Sequence, residues 1–226
     1  MANVLSNDLT SVKIYLHTGF SSTISNSFSS PSNSPAGLAW DGTNVLSQDA
    51  NSDKIYLHTG FSSTIANSFA SPSTECAYIT WDGTNILSND DATTKIYLHT
   101  GFSSTIANSF SSPSDLPFGL SWDGVNVLSD EYSAAKIYRH TGFSSTISSS
   151  FSSPQNQPFG LSWDGTNVLS NDLNIPTKIY LHTGFSSTIS NSFSSPSTGL
   201  RGLEWDDRVY FGRFPKGSYY PHILAH

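Results

Sequence analysis

Pro117-Phe-Gly-Leu-Ser-Trp-Asp-Gly-Val-Asn-Val-Leu-Ser129 is the stretch whose reading decides the fold of this chain. It reads as two short strands, Gly119 to Asp123 and Asn126 to Ser129, joined at Asp123-Gly124, a tight-turn pair. Two more strand-like segments follow, Lys136-Ile-Tyr-Arg-His140 and Ser145-Thr-Ile-Ser-Ser-Ser-Phe151. β-branched and aromatic residues fill the four segments, while Gly, Asn, Asp, Ser and Pro fill the gaps. No stretch carries a convincing helical period.

The unit recurs along the chain. Lys-Ile-Tyr begins at Lys13, Lys54, Lys95, Lys136 and Lys178, in steps of 41, 41, 41 and 42 residues. Trp-Asp begins at Trp40, Trp81, Trp122, Trp163 and Trp205 with the same steps, and Thr-Gly-Phe-Ser-Ser-Thr-Ile is identical in five copies. Four strands in about 41 residues, repeated five times, is the signature of β-propeller blades. A solenoid is the alternative, but its strands are usually more regular and its ends capped. The phase of the ends favours the ring. The chain enters in a second strand, Asn3-Val4-Leu5, and the fifth first strand, Gly202-Leu-Glu-Trp-Asp206, comes near the C-terminus. The expectation is an all-β, five-bladed propeller of four-stranded blades over residues 1–207, its closing blade shared by both ends. Closure leaves no open sheet end.

The motif Pro-x-Gly-Leu-x-Trp-Asp-Gly-x-Asn-Val-Leu-Ser, followed by Lys-Ile-Tyr, resembles the blades of NHL-repeat and virginiamycin-B-lyase-like propellers over about residues 1–207. That resemblance implies a fold, and it brings in a small lyase or hydrolase as one functional alternative. The blade number is similar to that of five-bladed tachylectin-type lectins, which bind N-acetyl sugars. This likeness is one of architecture: the tachylectin repeat motif is absent, so no binding residue is carried over.

Composition excludes several classes. The formal net charge of −7 argues against a nucleic-acid binder, which needs surplus Lys and Arg to neutralise phosphates. No run approaches the roughly 18 apolar residues of a membrane span. One cysteine, Cys76, allows neither an intramolecular disulfide framework nor a cysteine zinc site. Met1 to Ser6 does not read as a secretory signal, which together with the lone cysteine points to the cytosol, or to a virion component or protein released by lysis. No nucleophile elbow, phosphate loop or His-Glu-x-x-His is present, and the acids Asp90, Asp91, Asp130 and Glu131 form no persuasive catalytic set. The reading is therefore non-enzymatic, with no catalytic residues, no metal and no cofactor.

Four families of repeated residues are candidates for binding. The tryptophans are expected to pack between blades, with sugar stacking as the alternative. The histidines His17, His58, His99, His140 and His182 end the third strand of each unit, too far apart for one metal site. Turn hydrogen bonds are expected of them, or contact with a ligand. Asp41, Asp82, Asp123 and Asp164, with Asp206 in the fifth copy, are expected to build turns or to touch a polar ligand. Asn44, Asn85, Asn126 and Asn167 close the same turns and join the candidates. Along the first strand Ala39, Thr80, Ser121, Ser162 and Glu204 are equivalent, and Glu204 alone can bring a charge to the axis.

Strand alternation puts loops after the first and third strands on one face of the disc. These are the nearly invariant Asp-Gly-Thr-Asn and His-Thr-Gly-Phe loops; the other face carries the variable ones. A multivalent binder would use equivalent sites, whereas an enzyme would use the variable face. Residues 208–226 form a separate extension with three basic and no acidic residues, against seven basic and 17 acidic in the rest. Arg208, Tyr210, Phe211, Arg213, Phe214, Tyr219 and Tyr220 there suit a protein partner or self-association. The extension either displaces the N-terminal strand from the closing blade or lies elsewhere. The functional expectation is a lectin-like, non-catalytic binding protein with repeated sites for glycans or similar polar ligands. The alternative is a structural or assembly protein docking through residues 208–226.

Overall fold

Each repeat makes one small antiparallel sheet with two apolar faces, and such a sheet is stable only when both faces meet a neighbour. The computed structural model, which describes residues 3–206, satisfies this with five four-stranded sheets arranged in a ring, and no helix among those residues. Four sheets take four consecutive strands each. Their innermost strands are β4 (Pro35–Trp40), β8 (Cys76–Trp81), β12 (Pro117–Trp122) and β16 (Pro158–Trp163). The fifth sheet joins β20 (Leu200–Asp206) to β1 (Asn3–Asp8), β2 (Lys13–His17) and β3 (Ile24–Ser29), in that order. The chain is thus a five-bladed β-propeller closed by strands from both ends. Val4 pairs with Trp205 and Leu5 with Glu204. The second-strand slot of the closing blade therefore belongs to Asn3–Asp8; residues 208–226 lie outside the described residues.

Five apolar clusters lie one between each pair of adjacent sheets. Leu5, Ile14 and Leu16 of the closing sheet meet Leu38, Trp40 and Val45 of the next, and Val4, Leu200 and Leu203 meet Leu169 and Ile179 across the other side of it. Trp81, Trp122, Trp163 and Trp205 occupy the same position in the remaining clusters. Their large rings fill the wedge between diverging sheets.

Near the axis the innermost strands approach so closely that, as they are placed, the glycine positions leave no room for a side chain. A Cβ on Gly37 would stand 2.6 Å from the Ile79 nitrogen, and one on Gly202 would stand 2.4 Å from the Ala36 oxygen. Amide side chains stitch these strands together. Asn7 donates to the Ala36 carbonyl at 2.9 Å and accepts from the Gly202 N–H at 2.6 Å. Asn89 donates to the Pro117 carbonyl at 2.9 Å and accepts from the Tyr78 N–H at 2.8 Å. Asn171 donates to the Arg201 carbonyl at 3.4 Å, and Gln48 donates to that of Cys76.

Asp130 holds this position in the remaining blade. Its Oδ1 accepts from the Gly119 N–H at 2.6 Å, but its buried Oδ2 has no hydrogen-bond partner among the described residues. A carboxylate cannot donate across the gap as an amide does. Burial, assisted by the charge of Glu131, pushes the Asp130 carboxyl up to about 8 despite the Gly119 bond. The folded chain then keeps a proton that the unfolded chain has lost, so this group's contribution to stability falls as pH rises from about 4 to about 8. Asp130→Asn restores the donor. It should raise stability by about 1–3 kcal/mol at pH 8 and by progressively less towards pH 4. Denaturant midpoints at the two pH values measure the difference; an equal gain at both would show that Asp130 titrates in the fold as it does in the unfolded chain.

Candidate functional site

Asp41 sets a rigid turn at the end of β4. Its Oδ1 accepts from the N–H groups of Thr43 and Asn44 at 2.8 and 2.6 Å, and its Oδ2 accepts from the Asn44 side-chain amide at 3.0 Å. Gly42 takes the left-handed conformation (φ +93°) that the corner requires. The Asn44 side-chain oxygen then accepts from the Gly60 N–H at 2.9 Å, tying this turn to the neighbouring His-Thr-Gly-Phe loop. The two invariant loops of each blade therefore stand side by side on one face. Asp82 with Asn85, Asp123 with Asn126, and Asp164 with Asn167 repeat the arrangement, each Asn holding the next loop through Gly101, Gly142 or Gly184. In the closing blade the covalent turn is missing, but Asp206 accepts from the Asn3 N–H and Asn3 accepts from that of Gly19, both at 2.9 Å.

These corners bring Trp, Asp and Gly of all but the closing blade to the axis, where with Glu204 and Trp205 they line a cavity of about 470 Å³. Asp41, Asp82, Asp123 and Asp164 lie on its wall. The four asparagines do not line it: their side chains are spent on locking the loops. Asp41, Asp82 and Asp164 each engage three of about four acceptor positions in the turn, leaving one. Glu204, standing where other blades carry Ala39, Thr80, Ser121 and Ser162, reaches the same cavity. Its Oε1 accepts a 3.4 Å hydrogen bond from Ser162, whose oxygen in turn accepts from the Trp205 N–H at 2.9 Å.

One wall aspartate is distinguished by a cation. Arg139 replaces the Leu found at this place in the other Lys-Ile-Tyr-Leu-His segments. Its guanidinium meets Asp123 at 2.5 Å and lies over the rings of Phe185 and Trp163 at 5.2 and 5.6 Å. Burial raises the Asp123 carboxyl, but bonds from Asn126, Val125 and Arg139 outweigh it, so Asp123 titrates below its ordinary value. The departure from the repeat was visible in the sequence as Lys-Ile-Tyr-Arg-His, but its partner was not.

The five histidines lie elsewhere. Each is fully buried inside its blade. In each ring Nε2 bonds a serine hydroxyl of the neighbouring strand (Ser6, Ser47, Ser88, Ser129 or Ser170) and Nδ1 bonds a serine carbonyl four residues on. A phenylalanine from the adjoining blade tilts onto the imidazole, with centroids 5.0–5.3 Å apart. With both nitrogens engaged and no surface exposed, these rings are inter-blade posts that offer no atom to a ligand. Among the described residues no group of three or more His, Cys, Asp and Glu is placed to hold a metal ion. Burial pushes the Cys76 thiol up, which disfavours the thiolate needed of a nucleophile. Arg208, Tyr210, Phe211, Arg213, Phe214, Tyr219 and Tyr220 lie outside the described residues.

No protein-family model matches the chain, and no curated protein matches it. Solved structures do share its fold. A propeller in a nidogen/laminin complex superposes with a TM-score of 0.64 at 14% identity, covering 91% of this chain and 98% of that one. A Myxococcus xanthus glutaminyl cyclase gives 0.59 at 9% identity over 71% of this chain and 70% of that one. A streptogramin B lyase gives 0.51 at 20% identity over 85% of this chain and 66% of that one. The neighbours differ widely in function, so the similarity establishes the propeller and leaves activity to the site itself.

Burial lowers the imidazole pKa of His17, His58, His140 and His182 to about 4, and lowers that of His99 too, each against a smaller opposing effect of the serine carbonyl. Between pH 6.5 and about 4 the unfolded chain takes up protons that the folded chain refuses, so the histidine contribution to stability is lost as pH falls through that window. The ring-proton resonances of the five should stay at their neutral positions from about pH 8 to about pH 5. A midpoint near 6.5 in any of them would mean a solvated ring.

Proposed function

We propose that this protein is a non-catalytic, lectin-like binder of hydroxyl-rich polar ligands, glycans first among them, and that the axial cavity of the invariant face receives the ligand. The carrying observation is the convergence of Trp-Asp-Gly corners from around the ring on one opening of about 470 Å³. Sugars need apolar surface for their C–H faces and fixed acceptors for their hydroxyls, and the indoles and carboxylates supply both. The acceptors are held by turn bonds before any ligand arrives, which reduces the ordering cost of binding.

The candidate contacts are Asp41, Asp82 and Asp164, each with an acceptor position to spare. Asp123 takes part through its pair with Arg139. In place of the separate repeated sites expected from the sequence, the equivalent corners share one axial cavity, so a branched glycan or a repeating polymer would engage several walls at once. Glycan-array screening followed by calorimetry on the best binder tests this. Binding at about one site per chain is expected, weakened about tenfold by the double substitution Asp82→Asn/Asp164→Asn. Asparagine can keep the side-chain turn, so the fold should persist. Retention of no sugar on the array, or full affinity in the double variant, would overturn the proposal.

A further inference from the structure

The opposite, variable face carries a second and chemically different opening. On that side the second and third residues of the innermost strands crowd the axis: Ala36-Gly37, Ala77-Tyr78, Phe118-Gly119, Phe159-Gly160 and Arg201-Gly202. The repeat is broken twice here. Tyr78 stands where every other blade has glycine, and Arg201 stands where the others have alanine or phenylalanine. The Tyr78 ring packs edge-on to Phe118 and Phe159, with centroids 6.1 and 5.4 Å apart. The Arg201 guanidinium lies 4.4 Å from the centre of the Phe159 ring. Tyr78, Phe159 and Arg201 line a cavity of about 150 Å³ that Leu9, Ala36 and Ala77 complete with apolar surface.

Two polar groups at this cavity are unmatched. Tyr78 is 3% exposed, and its buried hydroxyl has no hydrogen-bond partner among the described residues. Arg201 forms no ion pair among them. A buried hydroxyl left without a partner is a standing cost to the fold. Phenylalanine or the glycine of the other blades would avoid it. We propose that this cavity is a binding site for a small aromatic or branched-chain carboxylate, whose apolar end fills the pocket and whose carboxylate accepts hydrogen bonds from Arg201 and the Tyr78 hydroxyl. The volume matches: a cavity of about 150 Å³ accommodates a benzene ring. The chemistry matches as well, because a guanidinium fixed against an aromatic ring presents its planar fork to a carboxylate. Burial lifts the Tyr78 phenol well above its ordinary value, so it stays a donor.

Asp91 and Asp130 also act on Tyr78 electrostatically. Their carboxyls are held up at about 7 and about 8, chiefly by burial, so both are mostly uncharged at about pH 6. Calorimetric titration of the full chain with benzoate at that pH, against neutral benzamide of the same shape, tests the site. Saturable benzoate binding at one site is expected, with benzamide at least about tenfold weaker. Arg201→Met keeps the stem over Phe159 and should weaken benzoate at least about tenfold. Tyr78→Phe should also weaken benzoate without lowering the melting temperature, whereas a purely structural Tyr78 would do the reverse. Equal affinity for benzoate and benzamide, unchanged affinity in both variants, or no heat up to about 10 mM benzoate would each overturn the proposal.

Discussion

The antiparallel pairing of β1 with β20 is the interaction on which the rest of the structure depends. Each sheet buries both faces against neighbours, so a ring interrupted at one place would expose two apolar faces at once. Val4, Leu200 and Leu203 meet Leu169 and Ile179 only because Val4 is held opposite Trp205. In the closing blade this corner is made without a covalent link between β20 and β1. In the other blades this turn is Asp-Gly-x-Asn, and its Asp and Asn side chains hydrogen-bond across it. Asp206 and Asn3 keep two of these contacts across the break, one between them and one that fixes the next loop through Gly19. Hydrogen bonds hold the corner there in place of the covalent link.

Closure passes a demand to every blade boundary. The His-Thr-Gly-Phe segment meets its own blade through the serine bonds of the imidazole, and meets the preceding blade through edge-to-face phenylalanines. Phe28 lies against both His58 and Phe61, and Phe193 closes the circle against His17 and Phe20. A segment that must satisfy two partners repeated around a ring has little freedom to vary one copy at a time. Packing therefore accounts for the sameness of the His and Phe of this segment, while its second Ser, second Thr and Ile are exposed in each copy. That sameness gives no independent support to a ligand role for the histidines, whose nitrogens are consumed in that packing.

Much of the fold was legible before any coordinates. Spacing, turn chemistry and the phase of Asn3-Val4-Leu5 against Gly202–Asp206 point to five closed blades, because side-chain period and turn residues are local properties of sequence. The placement of the two invariant loops on one face followed from strand alternation alone. Glu204 was recognisable as an axial charge for the same reason. Less was legible where partners come from another blade. Arg139 and Arg201 are visible as departures from their repeats, yet their stacking on Phe185 and Phe159 depends on how neighbouring sheets are inclined. The histidines show the same limit: a polar residue at a strand end reads as available, and only the third dimension reveals the serine and phenylalanine that enclose it.

The two faces divide the protein's chemistry according to symmetry. On the invariant face identical corners converge on the axis, so each wall residue presents similar chemistry from a different direction. Such a surface can follow a ligand with several similar polar groups but has little power to orient one uniquely; among the described residues Arg139 and Glu204 are charged departures from the repeat. On the variable face symmetry is abandoned where the chain is most crowded. Tyr78 occupies a glycine position and forces the Phe118 and Phe159 rings to pack around it, and the stacked Arg201 adds a single directional cation. A ligand there would have one orientation, set by where that cation lies. In a ring whose stability asks only for repetition, a bulky phenol in a glycine slot with its hydroxyl left unmatched is the feature that packing alone does not explain.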